Sequence, residues 1–239
     1  MRFTFISGSE RAGGNTDMVV DYAAEVVHRL GGETDIISLR EFRINPCSPC
    51  GDCNIRTTPC AIEDDVPNLL DRMVQADALV YAAPVHGFGL SHLMQIFLER
   101  AGVGYLRFDR PLANKLAGVV VTGRRYSHSD VHAQIMNNLL LNRTILVGSG
   151  YPVTFTGGAP GDALRDQEGL DALCSMIDRM AEFAQLLGTP SAGGRKALPA
   201  PAERNERETS RLRHLVPPTS NLIARAPEAN GANVATAQE

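Results

Sequence analysis

The sequence predicts an α/β fold with a parallel sheet covered by helices on both faces. Short apolar runs alternate along the chain with longer stretches whose apolar side chains recur at the spacing of one helix face. Several of the runs are apolar throughout, as strands buried on both faces are. The chain has 239 residues, of which 44% are hydrophobic and 21% charged, so a domain with a sizeable core is expected.

The predicted strands and helices follow one another in regular alternation. Strands are expected over five segments: residues 3–7, 35–39, 78–83, 117–122 and 144–147. Helices are expected over another five: residues 18–30, 66–75, 91–100, 129–141 and 168–187. Right-handed crossovers then favour a doubly wound five-stranded parallel sheet in the flavodoxin-like order 2-1-3-4-5. Its ligand crevice lies at the carboxyl ends of the first and third strands.

Local signals mark the ends of several helices. Gly31 and Gly32 end the first helix, and Ser91 is expected to cap the third. Asp64 and Asp65 precede the second helix, where a carboxylate caps the first turn and favours the helix dipole.

The composition changes after residue 188. Residues 1–188 form the predicted domain, whereas residues 189–239 are rich in Pro, Ala, Asn and charge and have few large apolar side chains. We therefore expect an irregular C-terminal tail with little core. A short helix over residues 203–215, docked on a partner subunit, is the alternative for part of it.

Charge and hydropathy exclude several classes of protein. The net charge of -4 argues against a nucleic-acid-binding face, which needs a basic excess. The longest apolar runs are far too short to span a membrane. The N-terminus becomes polar and glycine-rich by residue seven, so it does not resemble a signal peptide. A cytoplasmic protein is expected, in which thiols stay reduced.

The segment SGSERAGGNT, residues 7–16, joins the first strand to the first helix. Hydroxyl groups, an arginine and the unpaired N–H groups of a helix N-terminus suit an anion, and the glycines let the backbone curl around it. The segment lacks both the P-loop ending and the GxGxxG pattern, so one compact phosphate monoester fits best. A generic polar turn capped by residue 15 or 16 is the alternative. The predicted phosphate ligands are Ser7, Ser9, Arg11, Asn15 and Thr16.

Four of the five cysteines lie close together at Cys47, Cys50, Cys53 and Cys60. Their spacing, C-x2-C-x2-C-x6-C, allows a [4Fe–4S] cluster, while redox-active thiols and zinc remain alternatives. A reducing compartment argues against disulfides. Cys174 lies on the apolar side of the last predicted helix and is expected in the core.

Residues 7–11 (SGSER) and 14–16 (GNT) resemble the FMN-phosphate loop of NAD(P)H-dependent FMN reductases and iron–sulfur flavoproteins, which have the flavodoxin fold. The resemblance covers about residues 1–187. It implies FMN as cofactor, NAD(P)H as electron donor and a homodimer or homotetramer. It also implies that the flavin carries the chemistry, so no catalytic side chain is assigned.

Two later segments match the flavin-ring loops of this family by position. The first follows the third strand and comprises Pro84, Val85, His86, Gly87, Phe88 and Gly89. The family usually has tyrosine where His86 stands; a histidine there would donate a hydrogen bond to the flavin, and a surface histidine is the alternative. The second follows the fourth strand and comprises Thr122, Gly123 and Arg124. Arg124, or Arg125 directly after it, would meet the flavin, the anionic part of a nicotinamide nucleotide or an acidic substrate; the alternative is that these arginines lie in solvent or at a subunit contact.

Iron–sulfur flavoproteins carry a compact cysteine motif at this place in the chain, usually with five residues before the last cysteine. This chain has six residues between Cys53 and Cys60.

The resemblance to this family implies an FMN-dependent oxidoreductase that moves electrons from NAD(P)H to a small-molecule acceptor such as a quinone, a flavin or another electron-poor molecule. One alternative is an iron–sulfur flavoprotein that carries electrons from ferredoxin without oxidising NAD(P)H directly. Another is a flavin-sensing module whose tail contacts a partner.

Overall fold

The computed structural model describes residues 1–48, 50, 60–101 and 110–188. All of them fall in the first of the two units into which the chain divides, Met1–Glu203. The tail over residues 189–239, with its candidate helix, lies outside the described residues, as does Cys53.

The described residues form an alternating series of strands and helices. The strands are β1 Arg2–Ser7, β2 Glu33–Ser38, β3 Ala78–His86, β4 Gly89–Leu90, β5 Leu116–Gly123, β6 Ile145–Leu146 and β7 Val153–Thr156. The α-helices are α1 Asn15–Arg29, α2 Val66–Val74, α3 His92–Ala101, α4 His128–Leu141 and α5 Gln167–Leu187. Short 3-10 helices cover Leu39–Glu41 and Asp162–Arg165.

The sheet has the predicted doubly wound order. Its path is β2-β1-β3-β5-β6, and all of these pairings are parallel. This confirms the flavodoxin-like topology, although the described residues contain seven strands rather than five. The two additional strands are β4, which pairs antiparallel with β3, and β7, which pairs parallel with β5.

The edge beside β5 consists of two short strands. The predicted fifth strand corresponds to β6 alone, which pairs with Leu116 and Ala117. The other half of that edge is β7, which pairs with β5 from Val120 to Gly123. Glycines at 148 and 150 and the proline at 152 separate the two strands, because such residues interrupt regular pairing. The sequence did not predict β7 for this reason.

Helices cover both faces of the sheet, as the apolar strands require. On one face, Ile6 of β1 belongs to a buried cluster with side chains of α2, α3 and α4, such as Leu69 and Phe97. On the other face, Phe3 and Phe5 belong to a cluster with α1 and α5. Cys174 is only half-buried at the border of this second cluster, with its Sγ 3.7 Å from the Tyr22 hydroxyl. None of the described helices combines the length and apolarity needed to cross a bilayer.

Candidate functional site

Three loops meet at one edge of the sheet, where β1, β3 and β5 end. These strands are neighbours in parallel register, with Ser7 opposite Ala82 and Pro84 opposite Thr122. The hydroxyls of Thr16 and Thr122 lie 2.6 Å apart and both residues are buried, so the start of α1 is bonded to the end of β5. The structure therefore brings together the three segments that the sequence predicts at the ligand crevice.

The loop after β1 is bonded to itself and to helix α1. The Ser9 hydroxyl donates to the carbonyl of Arg11 at 3.0 Å. The Ser7 hydroxyl donates to Oδ1 of Asp17 at 3.2 Å, and the N–H of Gly13 donates to Oδ2 of the same carboxylate at 2.9 Å. Gly13 has φ +65°, a conformation that favours glycine. These bonds fix the shape of the loop and tie it to the first turn of α1.

Asp17 and Arg40 form an ion pair that the sequence did not predict. Nη1 of Arg40 lies 3.0 Å from Oδ2 of Asp17, and it also donates to the carbonyl of Ser9 at 3.4 Å. Asp17 lies in the first turn of α1, where a carboxylate is common because it favours the helix dipole. From the sequence alone, this interaction with the helix dipole is enough to explain why an aspartate stands at position 17. Only the contact with an arginine 23 residues away shows that the pair supports the loop.

The N-terminus of α1 is open to an anion. The N-cap residue is Gly14, which has no side chain to accept from the first N–H groups of the helix. Arg11 is exposed and forms no ion pair with any other described residue. Uncapped N–H groups beside an unpaired guanidinium are the donor set that a phosphate monoester requires. The described residues therefore fit the predicted phosphate.

Asn15 has a different set of contacts from the other predicted phosphate ligands. Its Nδ2 donates to the carbonyl of Ala159 at 3.0 Å, and its Oδ1 accepts from the N–H of Gly161 at 2.8 Å. A Cβ on Gly157 would lie 3.0 Å from the same Nδ2. The Asn15 side chain thus ties α1 to the loop before α5.

The loop after β3 is a tight hairpin. His86 pairs with Gly89, and the two residues between them, Gly87 and Phe88, have φ of 51° and 66°. Two successive positive φ values are the signature of a type I′ turn, which matches the twist of the flanking strands. Glycine adopts this conformation without cost, but a bulky residue such as Phe88 rarely does. The Phe88 side chain is 72% exposed.

Glu10 bridges two histidines at the same edge. Its Oε1 lies 2.6 Å from Nδ1 of His92, and its Oε2 lies 3.5 Å from Nδ1 of His86. This carboxylate, which was not predicted, joins the loop after β1 to the hairpin and to α3. A second link is made by the Ser91 hydroxyl, which donates to the carbonyl of Gly8 at 2.8 Å. Ser91 therefore precedes α3 as predicted, but its hydroxyl bonds the loop after β1.

The loop after β5 carries exposed cationic and aromatic side chains. Gly123 is closely packed there, since a Cβ would lie 2.7 Å from Nε2 of His128 and that side chain would have to move. Arg124, Arg125 and Tyr126 are exposed. The guanidinium of Arg125 lies 5.7 Å from the centre of the Tyr126 ring, whose centroid is 6.2 Å from that of Phe88. The loops after β3 and β5 thus present aromatic side chains to each other.

The cysteine segment is described only in part. Cys47 and Cys50 are exposed, Cys60 is half-buried, and none of the three is in a disulfide. Within the described ranges, no three His, Cys, Asp or Glu side chains are close enough together to hold a metal ion. Since Cys53 lies outside those ranges, the iron–sulfur cluster stays a prediction.

A buried ion pair closes the base of the cysteine segment. Nη1 of Arg100 lies 2.6 Å from Oδ2 of Asp64, and both side chains are almost fully buried. Arg100 also donates to the carbonyl of Asn45 at 2.8 Å, and the N–H of Asn45 donates to Asp64 at 2.9 Å. Residues on either side of the cysteines are therefore held together.

The charges of this pair stabilise each other. Burial by itself raises the pKa of Asp64, but hydrogen bonds from Arg100, Asn45 and Val66 outweigh it and hold the pKa below its ordinary value. Burial likewise opposes the charge of Arg100, yet Asp64 raises the Arg100 pKa, with smaller contributions from Cys60 and Cys47. Asp64 precedes the N-cap position of α2, and its carboxylate accepts from the N–H of Val66, the first residue of the helix, at 3.2 Å.

Asp65 makes a different contact from the predicted one. It occupies the N-cap position of α2, but its side chain makes no capping hydrogen bond. Its carboxylate accepts from the N–H of Arg43 at 2.7 Å instead. The two acidic residues therefore join the ends of the cysteine segment in addition to starting the helix.

Comparisons with known proteins give similarities in sequence and in fold. A family model described as NADPH-dependent FMN reductase matches residues 1–157. An iron–sulfur flavoprotein of Methanocaldococcus jannaschii is 34% identical over 194 residues, which cover 78% of this chain and 99% of that protein.

Solved structures agree on the fold. RosB with bound 8-demethyl-8-formylriboflavin 5′-phosphate superposes with a TM-score of 0.60 at 18% identity, covering 87% of this chain and 95% of RosB. A flavodoxin from the domain Archaea superposes with a TM-score of 0.51 at 13% identity, covering 76% of this chain and 99% of that one. At these identities the superpositions support the flavodoxin-like fold alone.

Proposed function

Because the chain belongs to the NADPH-dependent FMN reductase family, we propose that it is an FMN-dependent oxidoreductase that moves electrons from NAD(P)H to a small acceptor. The observation that carries this proposal is the uncapped N-terminus of α1, which lies beside an exposed Arg11 at the carboxyl end of β1. That arrangement suits the phosphate of a mononucleotide. The loops after β3 and β5 lie beside it, where the ring of such a ligand would extend.

Different residues of the chain would bind the phosphate and the ring of FMN. The first N–H groups of α1 and the guanidinium of Arg11 would hold the phosphate, within a loop shaped by Ser7, Ser9 and Thr16. Residues 84–89 and 122–124 would frame the ring. Bound FMN would supply hydride transfer, and the chain would contribute binding and electrostatics. His86 would donate a hydrogen bond to the ring from Nε2, because its Nδ1 faces Glu10.

The direct test is flavin content followed by reduction. The full chain, purified without oxygen, is expected to show a flavin spectrum that bleaches on addition of NADPH or NADH and returns when an acceptor such as a quinone is added. A protein that binds no FMN would overturn the proposal. A protein that binds FMN but is reduced by neither nucleotide would overturn only the part that concerns the donor.

A second candidate function is favoured by the cysteines. Cys47, Cys50, Cys53 and Cys60 lie in one segment, and the M. jannaschii relative is named an iron–sulfur flavoprotein. In this alternative, a [4Fe–4S] cluster held by the four thiolates passes electrons from ferredoxin to FMN. An iron and sulfide assay of the anaerobic protein and of a Cys60→Ser variant tests it. Iron present in the parent protein, lost in the variant and reduced by ferredoxin would favour it over direct NAD(P)H oxidation.

The oligomeric state is also a proposal. The family resemblance favours a homodimer or homotetramer, and light scattering of the FMN-loaded full chain would measure it. A monomer at micromolar concentration would contradict it.

A further inference from the structure

We propose that Phe88, Tyr126 and Arg125 form a binding site for a planar aromatic anion, and that the electron acceptor belongs to this chemical class. The second part rests on the proposed function, whereas the binding site itself does not.

Phe88 has a backbone and an environment that folding does not explain. Its φ of 66° lies in the left-handed region, where a bulky side chain is an outlier. The second central position of a type I′ turn favours glycine, asparagine or aspartate. Burial does not compensate for this conformation, because the side chain is 72% exposed. Strained backbone conformations that are not stabilised by packing occur preferentially at sites that bind a ligand.

Tyr126 provides a second aromatic face next to Phe88. The two ring centroids are 6.2 Å apart and the ring planes are inclined by 34°, and Tyr126 is 60% exposed. A pair inclined in this way leaves ring surface open to solvent. Aromatic rings at such distances attract a third ring by stacking on a face or by contact with an edge.

Arg125 adds positive charge to the aromatic pair. Its guanidinium lies 5.7 Å from the centre of the Tyr126 ring, and neither it nor Arg124 forms an ion pair with another described residue. A guanidinium that stacks on an aromatic ring is still able to donate hydrogen bonds to a carboxylate or sulfonate. Charge complementarity therefore selects an anion, and the two rings select a planar one.

The position of these three residues favours a substrate. Phe88 belongs to the hairpin at the end of β3, and Arg125 and Tyr126 follow the end of β5. These strands are neighbours in the sheet, and β3 also pairs with β1, from which the predicted phosphate loop extends. A planar anion bound by this group would thus lie beside the expected position of the flavin ring. An electron-poor aromatic acid has the planarity, the charge and the reactivity for this position.

The test is a titration of the FMN-saturated full chain with 2-naphthoate. The chain contains no tryptophan, so the fluorescence of the naphthyl group is followed without that background. Naphthalene-2-carboxamide lacks the charge and cyclohexanecarboxylate lacks the planar ring. We expect both to bind about tenfold more weakly than 2-naphthoate, since each loses one of the two kinds of contact.

Three variants assign the binding to these residues. Phe88→Gly removes the ring and places glycine where the turn favours it, so the fold is retained while 2-naphthoate binds about tenfold more weakly. Arg125→Gln is expected to abolish the preference for 2-naphthoate over the carboxamide. Tyr151→Ser is the matched control, because Tyr151 is 70% exposed in the loop between β6 and β7, and it should leave the binding unchanged.

Three results would overturn the inference: unaltered 2-naphthoate binding in Phe88→Gly, equal binding of cyclohexanecarboxylate, or 2-naphthoate binding to the FMN-free chain that is abolished when the chain is saturated with FMN. The last result would mean that the probe occupies the flavin site. If the predicted binding pattern is found but the protein oxidises no NAD(P)H, the aromatic anion site stands and the part of the proposed function that concerns the donor fails. The two proposals are therefore tested separately.

Discussion

Arg100 and Arg40 lie at the bases of loops and are each bonded to a carboxylate, whereas Arg11, Arg124 and Arg125 are exposed and form no ion pair with any described residue. The side chains of the first group are 4% and 21% exposed. A buried guanidinium must be paired because an unpaired buried charge is costly, so the first group supports the fold. An exposed guanidinium stays in solvent at little cost and remains available to an anionic ligand. Substitutions in the two groups should therefore change different quantities.

The largest expected effect is on stability, at Arg100. Arg100→Met leaves Asp64 buried without its main partner and should lower the free energy of unfolding by about 3–5 kcal/mol. Urea denaturation measures it. The double variant Arg100→Met, Asp64→Leu is the matched control and should regain most of the loss, because an apolar pair replaces an ion pair with little net change. A single variant as stable as the parent would mean that this pair does not support the fold.

The second effect is on FMN affinity, at the exposed Arg11. Arg11→Ala combined with Thr16→Ala should weaken FMN binding by about 2–4 kcal/mol, because a charge-assisted contact and a hydroxyl are both lost. Fluorescence titration of FMN measures it. The two single variants separate the contributions, since the Thr16 hydroxyl also bonds Thr122.

Arg29→Ala provides the control for this experiment, since Arg29 lies at the opposite end of α1. It should bind FMN as the parent does. An unchanged affinity in the double variant would refute the placement of the phosphate.

A smaller effect is expected at Arg40, which is only partly exposed. Arg40→Met removes a pair to Asp17, but that carboxylate keeps its bonds from Ser7 and Gly13. The free energy of unfolding should fall by about 1 kcal/mol, because partial exposure weakens the pair. FMN affinity should fall as well, since the loop after β1 loses the hydrogen bond between Arg40 and the carbonyl of Ser9. If only the affinity changes, Arg40 belongs with the ligand-binding arginines and does not support the fold as Arg100 does.

The smallest effect on stability is expected at the tip of the loop after β5. Arg124→Gln and Arg125→Gln should each change the free energy of unfolding by less than about 0.5 kcal/mol, because neither side chain is buried. Thermal and urea unfolding measure it. A loss above 2 kcal/mol would show that these arginines support the fold and would remove the contrast with Arg100.

The local sequence pattern predicted the main strands and helices of this molecule, but it predicted few of the contacts between distant residues. The strand order followed from five apolar runs, because strands buried on both faces are apolar throughout. The strand β7 was missed because it is short and follows a break, and β4 because it is two residues long. Both are strands only because a neighbouring strand pairs with them, and no periodicity within such short segments reveals that.

For the candidate site, the sequence predicted the position of the loops but not their contacts. The three loops were expected at one place because neighbouring parallel strands end at one edge, and the structure brings them together there. Asp17, Arg40 and Glu10 were missed. Each has a sufficient local explanation as a surface or helix-terminal charge, and only the folded chain shows its partner.

The sequence by itself determined the alternation of strands and helices, the position of the glycine-rich loop after β1 and the concentration of four cysteines. These depend on neighbouring residues and on how apolar side chains partition from water. The tertiary structure decided which polar groups remain available for a ligand. Asn15 bonds Ala159 across 144 residues, and Phe88 meets Tyr126 from another loop, whereas Arg11 forms no ion pair within the described part of the chain. These contacts depend on how distant segments pack together, and a local sequence pattern carries no information about that packing.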